Sequence, residues 1–447
     1  MANQIDKLPP QNLEAEKSVL GSILIDKDSI EKVIDVLRPD DFYGRQNQLI
    51  FGTMAGLLEK SEPIDILTVS NKLEESRELE NAGGAAYLTS LLSATPTSAH
   101  ILNYAKIVRR KKILRDLIDS AHKIVGLGHQ EDENIEKILD QAEQNLFAVS
   151  QRSLTQEFVL LKEELHEAFE RLERLHRGDG VLRGLSTGFV DLDSILAGLQ
   201  RSDLIILGAR PSLGKTSLAL DIVRNTAKKE NAGVGVFSLE MSKDQVIDRI
   251  LAAEAGVSLW KMRTGHLTSS GDFNDFSKIS LALDSLSKVP IFIDDAPSPT
   301  VLQIRAMARR LKSKNELGLL VIDYLQLVQP RSDINGYVQQ VTDVANSLKA
   351  LARELNIPII AVSQLSRAVE ARPDQKPRLS DLRESGGIEQ AADLVMFIHR
   401  EDKVRRDSDK KNIAEIIIAK HRNGPTGAIE LYFDEEEVSF KNLARNI

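Results

Sequence analysis

The sequence contains no cysteine, and this absence excludes several kinds of site at once. Without cysteine there is no disulfide scaffold, no cysteine-ligated zinc site, no iron–sulfur cluster and no thiol nucleophile. The chain also lacks a run of about 18 apolar residues, the length that spans a bilayer. Its first residues do not combine a basic stretch with an apolar one, so we expect no signal peptide. These absences predict a soluble, cytoplasmic protein with no membrane contact.

The chain also has no excess of positive charge. It carries 58 basic and 66 acidic side chains in 447 residues, a net charge of −8. Residues 1–150 hold 17 basic and 24 acidic side chains, and the remainder holds 41 and 42. The first third is therefore a poor general surface for nucleic acid. Any contact of the rest with DNA must come from local clusters of charge.

Residues 1–152 are predicted to form a helical domain. One apolar stripe runs along residues 13–24, through Leu13, Lys17, Leu20 and Leu24. Two longer amphipathic segments, 101–127 and 134–149, predict a helical hairpin that breaks at residues 126–128. We find neither the alternation of a strand nor a catalytic motif in this region.

Residues 153–182 differ in composition and are predicted to be a linker that contains a helix. Residues 159–177 are highly charged and carry a narrow apolar stripe formed by Leu161, Leu165, Phe169, Leu172 and Leu175. A stripe of this kind needs a partner groove. A helix packed on its own domain is the alternative, and the residues alone do not decide between the two.

Residues 183–447 follow an α/β pattern. Short apolar runs alternate with helical segments, as buried parallel strands do. A Gly- and Pro-containing turn at 423–427 then joins two strands without a helix, which predicts an antiparallel hairpin at 413–419 and 429–433. The predicted parallel strands are 204–207, 234–238, 291–293, 319–322, 359–362 and 394–398.

The segment after the first of these strands fits the phosphate-binding P-loop with one departure. Its first glycine position holds alanine, and Gly208 lies one residue earlier. In such a loop, backbone N–H groups surround the phosphates, a lysine supplies charge and a hydroxyl binds Mg²⁺. A chance match is the alternative, but strand, loop and helix occur in the right order. The predicted nucleotide-binding residues are Ala209, Arg210, Pro211, Ser212, Leu213, Gly214, Lys215, Thr216 and Ser217, with Thr216 as a metal ligand.

Three further polar residues follow predicted strands. Asp323 ends an apolar strand and is predicted to join Thr216 as a ligand of Mg²⁺, although an aspartate there is often a helix cap. Glu240 follows the strand 234–238 and is predicted to orient the attacking water if that strand neighbours the P-loop strand. Its alternative role is to cap the next helix. Gln364 is predicted to contact the γ-phosphate, or to be an ordinary polar residue at a strand end.

Together these segments resemble the DnaB family of replicative hexameric DNA helicases, which have a RecA-like motor domain. The resemblance covers essentially the whole length and is far more specific than one P-loop, because several segments match together. It also implies that the alanine at 209 is a family feature. It implies a helical collar domain followed by an α/β RecA-like domain with a mostly parallel sheet. The matching segments are 10–16, 209–216, 238–242, 321–327, 363–367, 381–386 and 420–425.

The resemblance also implies roles that the residues alone do not reveal. Arg422, with Lys420 beside it, would enter the ATP site of a neighbouring subunit. The alternative is a pair of surface cations. Arg383, Glu384 and Gly386 would contact single-stranded DNA. The implied cofactors are ATP and Mg²⁺, and the implied partners are single-stranded DNA, five further copies of the chain, primase and a helicase loader at the replication fork.

Two other functions use the same P-loop. A RecA-like recombinase forms filaments on this core, but the acidic helical first third and the charged linker argue against it. A non-motor ATP switch, such as a loader, would need the P-loop but neither a residue supplied to a neighbour nor a DNA-binding loop. Unwinding of a forked duplex would separate the helicase from both.

Overall fold

The computed structural model describes residues 8–95, 97–129, 160–176, 182–271, 274–330, 336–372, 374–404 and 409–443, with seven positions between 135 and 149. Side chains at 163–164, 168, 171, 174–175, 367 and 383–386 lie outside this description. The chain divides into two compact units, Met1–Glu164 and Leu165–Ile447. The boundary falls inside helix α6, Leu161–His176. The division into 1–152, a linker at 153–182 and 183–447 stays a prediction.

The first unit is helical, as predicted, and its described residues contain no strand. Helix α5 continues through the glycines at 126 and 128, where we expected a break. Most of the second helix of the predicted hairpin lies outside the described residues. The helices are α1 (Leu13–Ile25), α2 (Arg45–Glu59), α3 (Ile66–Glu75), α4 (Gly84–Ala94) and α5 (Ile101–Gly128), with 3₁₀ turns at Lys27–Ile30 and Pro39–Asp41.

The predicted apolar stripe of α1 is wrong at Leu13, although Leu20 is fully buried and Leu24 packs against the same core. Leu13 is 44% exposed, whereas Val19 and Ile23 are fully buried. The reason is that α1 packs against both α4 and α5, which widens and rotates its buried face. A Cβ on Gly21 would lie 2.4 Å from the backbone oxygen of Leu91, so glycine permits the close approach of α1 to the end of α4.

The described residues of the second unit form nine strands. Every strand and hairpin predicted from the sequence is present, and the last strand was not predicted. The strands are β1 (Leu204–Ala209), β2 (Gly233–Ser238), β3 (Ile291–Asp294), β4 (Leu317–Asp323), β5 (Ile359–Gln364), β6 (Leu394–His399), β7 (Ile413–His421), β8 (Gly427–Asp434) and β9 (Ser439–Asn442). The helices after α6 are α7 (Val190–Leu196), α8 (Lys215–Glu230), α9 (Lys243–Ala255), α10 (Leu259–Thr264), α11 (Asp275–Leu286), α12 (Val301–Asn315), α13 (Tyr337–Leu355) and α14 (Gly386–Ala391).

One sheet contains all nine strands in the order β3-β2-β4-β5-β1-β6-β7-β8-β9. The first six are parallel, and β7, β8 and β9 continue the sheet antiparallel. Two apolar cores cover its faces, one with α7, α8 and α9 and the other with α12, α13 and α14. The carboxyl ends of the parallel strands therefore meet at one edge, where ligands of open α/β sheets bind.

Candidate nucleotide-binding site

The P-loop leaves the middle of this edge. Strand β1 is buried along its whole length between β5 and β6. A Cβ on Gly208 would lie 2.8 Å from the ring of Phe397, so this glycine serves packing within the sheet. Ser212 and Gly214 have φ angles of +64° and +96°, which turn the loop so that α8 begins at Lys215. Such a turn at a helix N-terminus directs backbone N–H groups toward an anion.

The metal ligands predicted from the sequence lie side by side. The Thr216 hydroxyl donates a hydrogen bond of 2.6 Å to Oδ2 of Asp323. The other carboxylate oxygen, Oδ1, is buried and has no hydrogen-bond partner. Burial raises the pKa of Asp323, and the hydrogen bond from Thr216 and the charge of Lys215 oppose that rise. A buried, unpartnered carboxylate oxygen is the donor that a hard cation prefers.

Lys215 is held close to two other groups of the site. Its Nζ lies 3.8 Å from Oε2 of Glu240 and 4.5 Å from the centroid of the Tyr324 ring. Tyr324 directly follows Asp323, and sequence reasoning assigned it no role. The lysine thus stands between the end of β4 and the end of β2, at the N-terminus of α8.

Glu240 reaches the site by a different route from the one expected. Strand β2 does not neighbour β1, because β4 and β5 lie between them. The Leu239 N–H instead donates a 2.7 Å hydrogen bond to the Asp323 backbone oxygen, which joins the ends of β2 and β4. The alternative role as a helix cap is wrong, because Ser242 caps α9 in a capping box with Gln245. The Glu240 side chain is 52% exposed, so water can reach it.

Gln364 ends β5 and is paired in register with Ala209 at the start of the P-loop. Its side chain is exposed. Gln326 holds the backbone of this residue: Nε2 of Gln326 donates to the Gln364 backbone oxygen over 3.3 Å, and its Oε1 accepts from the Gln364 N–H over 3.4 Å. The amide of Gln364 therefore stands at the edge beside the loop.

Arg249 is a residue of the site that sequence reasoning missed. It lies on α9, and its Nη1 donates to Oγ of Ser217 over 3.4 Å. Burial lowers the pKa of the Arg249 guanidinium, while the charges of Asp323 and Glu240 raise it. Nothing in the sequence marks this arginine, since it lies within an amphipathic helix and outside the matching segments.

Not every residue of the P-loop faces the same way. The guanidinium of Arg210 donates to Oε1 of Glu370 over 2.9 Å and to Oε1 of Gln375. Its side chain therefore points to the segment after β5, which leaves only its backbone for the loop. Pro211 and Ser212 are exposed, whereas Leu213 is buried.

Lys420 and Arg422 lie far from Lys215. Strand β7 runs antiparallel to β6, so its end reaches the amino edge of the parallel strands. There the Arg422 N–H donates to the Asp393 backbone oxygen, and its guanidinium lies 3.4 Å from the Asp393 carboxylate. The Arg422 side chain is 68% exposed, and Lys420 Nζ donates to the Glu389 backbone oxygen. The length of β1 separates them from the P-loop.

The predicted DNA-binding loop is helical in the structure. A 3₁₀ helix, Leu379–Ser385, leads directly into α14. Gly387 does not serve flexibility, because a Cβ there would lie 2.2 Å from Thr342 on α13. The side chains of Arg383 and Glu384, and the surroundings of Gly386, lie outside the described residues.

Comparison with known proteins now decides the family. A profile described as "DnaB-like helicase C terminal domain" matches residues 184–442, and "DnaB-like helicase N terminal domain" matches residues 8–110. The chain belongs to the DnaB-like helicase family. Its family resemblance and its fold class, as inferred from the sequence, are confirmed.

The relatives of this DnaB-like chain match over nearly its whole length. The replicative DNA helicase DnaB of Geobacillus stearothermophilus is 46% identical over 442 residues, covering 98% of this chain and 96% of that relative. DnaB of Pasteurella multocida (strain Pm70) is 41% identical over 445 residues, covering 98% and 94%. These matches include both units, so the family assignment does not rest on the P-loop alone.

Solved structures agree with the assignment of both units. "The Structure Of A DnaB-Like Replicative Helicase And Its Interactions With Primase" matches 97% of this chain and 100% of its own, with a TM-score of 0.78 and 32% identity. A second solved structure, of an isolated ATPase domain, matches 64% of this chain and 100% of its own, with a TM-score of 0.61 and 37% identity. Among the described residues, no helix is both long and apolar enough to cross a membrane.

Proposed function

We propose that this protein is a replicative DNA helicase that couples ATP hydrolysis to the unwinding of duplex DNA. The observation that carries the proposal is the grouping of Lys215, Thr216, Asp323 and Glu240 at the carboxyl edge of the sheet. The relatives named above are replicative DNA helicases, and each matches this chain over nearly its whole length. This favours the helicase over the recombinase and over the non-motor switch.

The residues present fit ATP with a divalent cation. Thr216 and the unpartnered Oδ1 of Asp323 would hold Mg²⁺, directly or through water. The cation, when bound, neutralises charge on the phosphate oxygens. The loop N–H groups and the Lys215 ammonium bind the phosphates, and Arg249 supplies a second positive group from α9.

Glu240 is the residue best placed to act on water. Its carboxylate is more than half exposed, yet it lies within 4 Å of the Lys215 ammonium. A carboxylate in this position accepts a hydrogen bond from water and aims its oxygen at the γ-phosphate. Gln364, beside Ala209 at the same edge, is the group that would hydrogen-bond the γ-phosphate and respond to its loss.

Arg422 and Lys420 would complete the site of a neighbouring copy. The six residues of β1 span about 20 Å, so neither side chain reaches the P-loop of its own chain. An exposed arginine at the opposite edge fits a head-to-tail contact, which closes into a ring when the rotation allows it. A guanidinium supplied in this way stabilises charge on the reacting phosphate oxygens.

The linker helix supports assembly of the same kind. Leu161, Leu165, Phe169 and Leu172 are all exposed on α6, with the spacing of one helical face. We expect this face to pack on another copy of the chain in a homohexameric ring.

We assign Arg383, Glu384 and Gly386 to single-stranded DNA, with contacts to phosphate that carry no base information. We propose two further partners. Primase would bind the helical first unit, and a helicase loader would open the ring.

A forked duplex tests the proposal. Purified full-length protein with ATP and Mg²⁺ should separate a fork with single-stranded tails, and a blunt duplex should stay paired because it offers no strand to enclose. Glu240→Gln keeps the size of the side chain and removes its charge, so it should bind ATP and stop turnover. The matched control is Asp244→Asn, a change of the same kind at an exposed position in the first turn of α9, and this variant should unwind normally. ATP hydrolysis without unwinding, with filaments on DNA, would support the recombinase instead.

A further inference from the structure

The last strand of the sheet lies against the P-loop. Phe440 of β9 is 2% exposed, and a Cβ added to Gly214 would lie 2.9 Å from two atoms of its ring. The next nearest atom belongs to Phe433, at 3.2 Å. The two rings pack edge to face with centroids 4.8 Å apart. An aromatic pair therefore supports the glycine whose positive φ turns the loop into α8.

A buried carboxylate fixes this strand to the P-loop helix. Asp221 lies on α8, six residues after Lys215, and is 3% exposed. Its Oδ2 accepts a 2.7 Å hydrogen bond from the Phe440 N–H, and its Oδ1 accepts one of 2.9 Å from the Ser439 hydroxyl. Arg224, one turn further along α8, places its Nη2 3.1 Å from Oδ1. The helix that begins in the P-loop thus carries the anchor of β9.

Two more contacts hold the aromatic pair from behind. The guanidinium of Arg400 lies over the Phe433 ring at 4.5 Å, is almost fully buried, and pairs with Asp402 and Glu435. At the end of β9, Asn442 accepts a hydrogen bond from the Val190 N–H. The pair cannot retreat from Gly214 without breaking these contacts.

We propose that β9 is a brace for the P-loop, and that Phe440 and Asp221 are positioning residues for nucleotide binding. The inference rests on the proposed function, because it takes the P-loop to bind the phosphates of ATP. Phe440 sets the path of the backbone at Gly214, and Asp221 sets the position of Phe440. Neither side chain touches the nucleotide.

A brace of the loop has a kinetic signature that a merely structural role lacks. Loop N–H groups bind the phosphates of ATP in the ground state and in the transition state alike. Loosening them removes uniform binding, which raises KM and leaves kcat largely unchanged. Phe440→Leu in the full-length protein should raise the KM for ATP about tenfold and change kcat by less than about threefold. Phe440→Val, which removes more of the side chain, should give a larger rise in KM.

The matched control is Val234→Ala. Val234 is fully buried in the same core, but it lies at the amino end of β2 and does not supply the atoms nearest Gly214. It should lower Tm by a similar amount while the KM for ATP stays at the value of the unmodified protein. Calorimetric titration with ADP gives a second measurement. The Kd for ADP should rise together with the KM for ATP in the Phe440 variants and should not change in the control.

A double-mutant cycle tests whether Asp221 acts through Phe440. Asp221→Ala should raise the KM for ATP as Phe440→Leu does. In the double variant, the fold-increase in KM should be much smaller than the product of the two single fold-increases, since both changes release the same strand. Equal KM values for Phe440→Leu and Val234→Ala at equal loss of Tm would overturn the proposal. The proposal also fails if the KM increases of Asp221→Ala and Phe440→Leu multiply in the double variant. If the unmodified protein does not hydrolyse ATP, the proposed function itself has failed, and this outcome is distinct from both.

Discussion

The sharpest prediction concerns the division of one active site between two chains. Arg422 lies at the amino edge of the sheet and Lys215 at the carboxyl edge, about 20 Å apart along β1. Arg422→Ala should therefore leave the P-loop intact and keep the Kd for ATP within about threefold. Its kcat should fall by roughly 10³–10⁵, because a guanidinium of this kind stabilises charge that develops during the reaction.

Mixing two inactive variants measures the sharing directly. In rings formed from equal amounts of Arg422→Ala and Lys215→Ala, an interface is complete when the first variant supplies the P-loop and the second supplies the arginine. Random assembly makes about one quarter of the interfaces complete, whatever the ring size. ATPase activity per subunit should recover toward that fraction of the unmodified value, while each variant alone stays inactive.

The assay is steady-state ATPase after the two proteins are mixed and allowed to exchange subunits. Exchange is followed separately, by energy transfer between labelled copies. Arg201→Ala is the matched control, since Arg201 is an exposed arginine that precedes β1 at the same edge; mixed with Lys215→Ala it should keep the activity of its own intact sites. Proven exchange without any recovery would refute the argument, because a finger that acts within its own chain cannot be restored by a neighbour.

Three further predictions concern the nucleotide, the DNA and the brace. Lys215→Ala should abolish ATP hydrolysis and unwinding while the protein stays folded, and normal turnover would place the active site elsewhere. Arg383→Ala should weaken single-strand binding equally for all sequences and reduce the salt slope by about one; a sequence-selective loss would contradict this. Burial raises the pKa of Asp221 to about 6, so the folded chain keeps a proton that the unfolded chain loses near pH 4, and stability falls as pH rises through this window. The free energy of unfolding of the unmodified protein, relative to Asp221→Asn, should drop by about 2 kcal/mol between pH 4.5 and pH 7 in urea titrations, and a flat difference would contradict the shift.

The sequence was enough to predict the parallel sheet, for a physical reason. Strands buried on both faces are continuous apolar runs, and those of the second unit stand out between helical segments. Strand β9 escaped because it has four residues and only one large apolar side chain, Phe440. The stripe of α1 was wrong at Leu13 because a helix with two partners buries more than one narrow face. Which side of α1 faces the core depends on where α4 and α5 pack.

Local sequence patterns also predicted only part of the candidate site. Lys215, Thr216 and Asp323 were predictable because they follow strands in a fixed motif, and parallel strands end at one edge. Arg249 and Tyr324 were not, because their place at the site depends on how α9 and the end of β4 pack around Lys215. Glu240 was predicted from its place after a strand, although two strands lie between β2 and β1. The order of strands in a sheet is a property of the whole fold, which no local pattern contains.

The order of strands also determines when β1 can pair with its neighbours during synthesis of the chain. The residues of β1 are made early in the second unit, but its two neighbours in the sheet are β5 and β6, which are made about 150 or more residues later. The P-loop therefore has no hydrogen-bonded strand on either side of its base until most of the unit has left the ribosome, whereas the helical first unit is made complete well before that. Strand β9, which supports Gly214, comes last of all. A chain cut short before residue 439 would carry the entire nucleotide motif and lack the strand that we propose as its brace, so its affinity for ATP should be lower than that of the chain that includes β9.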